Sequence, residues 1–202
     1  MINILKKIIN ICCYILNCRC PKMVITERRP ATEHEFPEFT PIVIRDRKGE
    51  EILIRKYEHE KDREKLIHMY ETYDPEYRCL GLPPLTRQAI ENWIDYLAEV
   101  GFSILAEAKG KVIGHLVIVP TDDNKVDLTI FIHQDYQNRG IGQEMIRIII
   151  EYCKKAGFDG ISLVTERTNA RAIHVYKKVG FKVVAPYYEY DMYLPLKEDE
   201  NP

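Results

Sequence analysis

Apolar positions along this chain change their period several times, and each change marks an element. The runs Ile42–Arg45 and Ile52–Tyr57 are rich in β-branched residues. They flank Asp46-Arg47-Lys48-Gly49-Glu50, which reads as the turn of a hairpin. Over residues 60–73 the spacing becomes helical, through Leu66, Met69, Tyr70 and Tyr73. Residues 74–84 (DPEYRCLGLPP) read as a loop, because prolines and a glycine break any period. Thr86 then opens a second helix as its N-cap, with Ile90, Trp93, Ile94 and Leu97 on one face.

From Phe102 onward strands dominate. FSILAEA (102–108) and VIGHLVIV (112–119) flank Lys109-Gly110-Lys111, a tight hairpin turn, and TDDN leads into VDLTIFIH (126–133). Residues 141–156 form a helix with Met145, Ile146, Ile149, Ile150 and Cys153 inward, stopped by Gly157. A strand (161–165), a helix (170–179) and two closing strands, FKVVA and YYEYDMYL, complete the chain. From residue 52 the order is β, α, α, β, β, β, α, β, α, β, β. It predicts an α/β protein with a mixed, mostly antiparallel sheet, in which an antiparallel meander feeds one central βαβ unit. A doubly wound fold would alternate throughout.

Composition narrows the function classes. Of 202 residues, 46% are apolar and 30% charged, enough for a core and unlike a disordered chain. With 29 basic and 31 acidic residues the net charge is −2, which gives no electrostatic reason to expect nucleic acid as a partner. The balance is uneven, however. Residues 1–23 hold Lys6, Lys7, Arg19 and Lys22 and no acid, leaving 25 basic against 31 acidic residues beyond them, net −6. The same leader carries Cys12, Cys13, Cys18 and Cys20.

Three readings of the leader stay open: a dispensable extension with translation starting at Met23, a short interfacial or signal-like helix, and a metal site on its cysteines. CC-x4-C-x-C is not a usual zinc spacing, so no metal is expected. Its apolar stretch, Ile2–Leu16, is shorter than the roughly 20 residues of a membrane span. Cys79 and Cys153 stand alone, which points to a reducing, cytoplasmic compartment.

The chemistry concentrates at Gln137-Asn138-Arg139-Gly140-Ile141-Gly142, between a strand and a helix. Two glycines there let the backbone approach a ligand, and the free N–H groups of the helix's first turn favour an anion. Arg139 adds a forked cation suited to phosphate. A dinucleotide fingerprint would need a small residue where Met145 stands, and a P-loop would need Lys-Ser/Thr where Gln143-Glu144 stands. The segment instead resembles the Q/R-x-x-G-x-G/A motif of the GNAT N-acetyltransferase superfamily. Asn169 to Phe181 (NARAIHVYKKVGF) resembles that family's N-x-x-A-x-x-x-Y-x-x-x-G-F segment, and residues 52–195 fit its element order.

The resemblance implies a GNAT acyl-CoA N-acyltransferase fold over residues 52–197, preceded by a linker or arm with the hairpin at 24–51. Acetyl-coenzyme A is the implied acyl donor and an amine the acceptor, with direct attack in a ternary complex. Backbone groups of Phe131 and Ile132, with Ile130 beside them, are expected to bond the pantetheine arm. Amides from Asn138 through Gln143, following Gln137, are expected to cradle the pyrophosphate, and Asn169 to contact the pantetheine. Tyr176 occupies the position of a tyrosine that protonates the leaving thiolate, and a phenol of ordinary pKa about 10 can do so at neutral pH. Asp127 is the first candidate base and Glu166, at the end of the next strand, the second. Tyr77–Pro84 and the tyrosine- and carboxylate-bearing Tyr187–Asp191 are expected to shape the acceptor pocket. The alternative is a non-catalytic acyl-CoA sensor with the same fold. A monomer and a homodimer both stay open.

Overall fold

The computed structural model describes residues 36–197, so the leader and its four cysteines lie outside the described residues. Among the described residues, eight strands form one sheet in the order β1-β2-β3-β4-β5-β6-β8-β7. They are β1 (Ile42–Arg45), β2 (Glu51–Lys56), β3 (Phe102–Ala108), β4 (Lys111–Pro120), β5 (Lys125–Ile132), β6 (Gly160–Glu166), β7 (Lys182–Pro186) and β8 (Glu189–Pro195). Every neighbouring pair is antiparallel except β5–β6. The mixed, mostly antiparallel sheet with one βαβ unit is therefore present. The β3–β4 turn has Lys109 and Gly110 both at positive φ, as a tight hairpin with right-handed strand twist requires.

Helices α1 (His59–Glu71) and α2 (Arg87–Val100) cover one face, and α3 (Ile141–Lys155) and α4 (Ala170–Lys178) the other. Thr86 caps α2, its hydroxyl accepting from the Ala89 amide at 3.3 Å, and Ile90, Trp93, Ile94 and Leu97 turn inward. They meet Leu66, Tyr70, Tyr73 and Phe131 in one cluster. Across the sheet, Met145, Ile146, Ile149 and Cys153 of α3 pack on Ile104, Leu116 and Leu128. The arm reaches this layer too: Phe36 stacks on Phe102 with centroids 5.1 Å apart, and the Tyr152 hydroxyl donates to the Pro37 carbonyl at 2.6 Å.

Residues 74–84 are more ordered than their prolines suggest. Pro75–Tyr77 is a single 3-10 turn capped by Asp74, and Cys79 and Leu82 exchange two backbone hydrogen bonds around Leu80 and Gly81, both at positive φ. A local reading misses this because it is the Glu166 carboxylate, 86 residues away, that accepts from the Leu80 amide at 2.6 Å.

Two buried polar clusters make checkable contributions. The Arg55 fork donates to both Asp62 oxygens at 2.6 and 2.8 Å and to Glu107 at 2.7 Å, while Asp62 also accepts from the Glu58 amide. Asp62→Asn keeps the shape and removes the charge. It is expected to cost about 2 kcal/mol in urea unfolding, the scale of hydrogen bonds to a charged group. On the same side of the sheet, the Tyr70 hydroxyl and His115 Nδ1 share a hydrogen bond of 2.7 Å, and burial lowers the His115 pKa to about 3. The unfolded imidazole titrates near 6.5. Between those values the unfolded chain takes up a proton that the folded protein refuses. Stability is thus full above pH 6.5 and falls by about 1.4 kcal/mol per pH unit below it. Denaturation series between pH 6.5 and 4.5 should show that slope in the wild type and lose it in His115→Gln.

Candidate functional site

Register decides where the site lies. β5 and β6 pair only over Lys125–Asp127 with Gly160–Ser162. β5 nevertheless stays paired to β4 as far as Ile132, and β6 to β8 as far as Glu166. Beyond Asp127 the two parallel strands part and the sheet opens into a V. Leu128–Ile132 on one side and Leu163–Thr165 on the other wall a cleft of about 1060 Å³.

The splay leaves main-chain groups of β5 without a strand partner. His133 N donates to the Ile113 carbonyl at 2.9 Å, and Phe131 faces His115 in the same register. Antiparallel alternation then turns the backbone groups of Phe131 toward β4 and those of Ile130 and Ile132 toward the V. The expectation for Phe131 is corrected accordingly: its amide and carbonyl belong to the sheet, and its ring packs against Tyr73 and Trp93. At the mouth, the Ile132 carbonyl accepts from Gln137 Nε2 at 2.9 Å, so Gln137 braces the turn.

After Gln137 the chain turns sharply, with Asn138 and Gly140 at φ 62° and 88°. A left-handed Gly140 starts α3 with no side-chain cap, and the first helical bond runs from Glu144 N to the Gly140 carbonyl. The amides of Ile141, Gly142 and Gln143 therefore have no intrahelical acceptor. They lie on the cleft wall, where the helix dipole adds positive potential. Gly142 packs beside β5, where a Cβ would make ordinary contact with Ile132 Cγ1 at 3.4 Å. Ile141 is buried and anchors the first turn, and with its amide oriented toward Arg147 the Gln143 side-chain oxygen accepts from Nη2 at 2.9 Å.

Arg139 departs from expectation. Its guanidinium donates to Glu50 at 3.0 Å, to Asp46 at 3.3 Å and to the Asp135 carbonyl at 2.8 Å, and it stacks on Tyr136. The fork serves the β1–β2 turn, and its side chain is not a wall of the cleft. Burial opposes ionisation of Asp46, yet the Glu50 and Lys48 amides and Arg139 outweigh it and hold its pKa below the ordinary value. Three other guanidinium groups line the cleft, those of Arg78 and Arg171 at the far rim and that of Arg47 beside the α3 turn.

Tyr176 stands on α4 with 9% of its surface exposed, lines the cleft, and has no hydrogen-bond partner among the described residues. Burial first, then the neighbouring Cys79 and Tyr73, push its phenol well above the usual range, so it remains a proton donor. Asn169 caps α4, accepting from the Ala172 amide at 3.3 Å, and also lines the cleft. Asp127 sits at the apex of the V, where Ser162 Oγ donates to it at 2.5 Å. Among the described walls it is the one carboxylate. Glu166 lies outside them and holds the Leu80 amide.

The far rim is formed by Tyr77, Cys79, Leu80 and Leu82 of the loop, with Arg171 stacked on Tyr77 at 4.8 Å. Tyr187 and Tyr188 are exposed at the β7–β8 turn, and neither they nor Glu189 and Asp191 line the cleft. Those residues sit one strand beyond β6, so the expected aromatic and acidic acceptor wall is not formed by them. Cys79, within the loop expected to shape the acceptor pocket, lines the cleft, and so does Tyr73, whose helical spacing marks it only as a helix-face residue.

Comparison with known proteins agrees with this geometry. Residues 64–181 match the model of the acetyltransferase (GNAT) family. The L-amino acid N-acetyltransferase AaaT of Escherichia coli is 35% identical over 85 residues, covering 40% of this chain and 52% of that enzyme. The chain spans 37–52% of the length of three curated relatives it matches. Among solved structures, a GNAT-family acetyltransferase from Streptococcus pneumoniae superposes with a TM-score of 0.61 at 25% identity, over 71% of this chain and 98% of that one. The acetyl-CoA complex of yncA from Salmonella typhimurium, a putative acetyltransferase, shares the fold with a TM-score of 0.62 at 17% identity, over 75% and 97%.

Proposed function

This chain belongs to the acetyltransferase (GNAT) family, and from that premise we propose that it transfers the acetyl group of acetyl-coenzyme A to an amine. The observation that carries the reading is the splay of β5 from β6. Around one cleft it gathers the open β5 edge at Ile130 and Ile132, the uncapped start of α3, and the Tyr176 phenol.

Those features fit acetyl-coenzyme A in order along its length. Amides of the Asn138–Gln143 segment take the pyrophosphate, as a helix N-terminus favours. The β5 edge pairs with the pantetheine amides as an added strand would, and Asn169 flanks that arm. The thioester then lies in the V. An amine nitrogen attacks the carbonyl carbon, the carbon–sulfur bond breaks, and Tyr176 gives its proton to the departing thiolate. Asp127 takes the proton lost by the amine, directly or through a water. Glu166 acts as an anchor of the loop, since its carboxylate is committed to Leu80. Reaction in a ternary complex places the barrier reduction in positioning, which the rigid sheet supplies.

A thiol-release assay with acetyl-coenzyme A against peptides with free N-termini, lysine, polyamines, amino acids and simple alcohols tests this. Release with at least one amine and with no alcohol is expected. Tight coenzyme binding without release across the panel overturns acetyl transfer and leaves a coenzyme-binding module.

A further inference from the structure

The turn between β1 and β2 lies outside the segment that matches the family, yet it touches the start of α3. Asp46 Oδ1 accepts from the Lys48 and Glu50 amides at 2.8 and 2.9 Å, and Gly49 at φ 81° closes the turn. Arg139 ties this turn to the α3 loop through Asp46 and Glu50, and Arg47 N donates to the Arg139 carbonyl at 3.0 Å. The Arg47 side chain is thereby laid across Gly140: a Cβ on that glycine would stand 3.6 Å from Arg47 Nε and 3.7 Å from Cγ. Its Nη1 lies 3.4 Å from the Asn138 carbonyl, and no carboxylate pairs with it among the described residues.

The two arginines have thus exchanged the tasks their positions suggest. Arg139 carries the motif's cation but is matched by two carboxylates, whereas Arg47 holds an uncompensated fork over the same backbone turn. A guanidinium so placed makes paired, charge-assisted bonds to phosphate oxygens, for which Lys and neutral donors are poorer. We infer that Arg47 grips a phosphate of the coenzyme, so that the β1–β2 turn is part of the coenzyme site and Arg139 is its positioning residue. This rests on the acetyl-coenzyme A reading above.

Calorimetric titration of wild type, Arg47→Met and Lys48→Met with coenzyme A and with 3′-dephospho-coenzyme A tests it. Lys48 neighbours Arg47, carries the same charge and does not line the cleft. Arg47→Met is expected to weaken coenzyme A binding ten-fold or more while Lys48→Met stays within two-fold. A loss confined to coenzyme A assigns the 3′-phosphate, and an equal loss with both ligands assigns the pyrophosphate. Unchanged affinity in Arg47→Met, or an equal loss in Lys48→Met, overturns the inference. Wild-type protein that binds neither ligand overturns the functional reading itself, and the two failures are thereby told apart.

Discussion

Gly142→Glu should weaken acetyl-coenzyme A binding about 100-fold and leave the ligand-free protein as stable as before. The two halves of that expectation come from one feature. A carboxylate in the first turn of α3 is attracted by the free amides and the helix dipole, so the fold gains a few tenths of a kcal/mol if anything. Space allows it, because a Cβ at Gly142 makes only ordinary contact with Ile132 and Ile130. The same carboxylate stands where the pyrophosphate would lie. Two like charges about 5 Å apart at an effective dielectric of about 20 repel by about 3 kcal/mol, which sets the 100-fold scale. Calorimetry gives the affinity and thermal melting the stability, and raising the salt concentration should narrow the gap. Unchanged affinity would mean that the coenzyme does not approach this turn.

Part of that site is legible in the sequence. Gly140 and Gly142 signal a close backbone approach, and Gly140 takes a left-handed conformation that favours glycine. Thr86, Ile90, Trp93 and Leu97 likewise announce α2 through a cap and a period, both local signals. What sequence could not carry is partnership at a distance. Alternation along β5 assigns side chains to faces. Which edge receives the backbone of Phe131 depends on its register with His115, and β4 alone sets that. The parting of β5 from β6 leaves no mark in either strand, because both read as ordinary β segments on each side of Asp127. Arg139 looked like the phosphate ligand because its carboxylates lie 93 and 89 residues away, in a hairpin that seemed to belong to a linker. Leu80 shows the same limit, since its left-handed backbone is held by Glu166, at the end of β6 and 86 residues away.

Tyr176→Phe is the sharpest test of the chemistry, because the native phenol is held by nothing the substitution would break. Its ring contact with Phe181, centroids 6.0 Å apart, survives in phenylalanine. Tyr176 lines the open cleft and its hydroxyl has no protein partner among the described residues, so removing it breaks no hydrogen bond and the melting temperature should hold. Coenzyme affinity should also hold, since the phosphate turn and the β5 edge are untouched. The turnover number is what should fall. A positioned general acid contributes roughly 10²–10⁴-fold, and a thiolate, whose ordinary pKa is about 8.5, leaves well enough unaided to put the loss near the lower end, about 100-fold. Burial with Cys79 and Tyr73 nearby keeps the wild-type phenol protonated beyond its usual range. The rate should therefore show no alkaline decline attributable to Tyr176 up to about pH 10, because the donor form persists there. A kcat equal to wild type in the phenylalanine variant would make Tyr176 a packing residue and move the proton to another donor or to solvent.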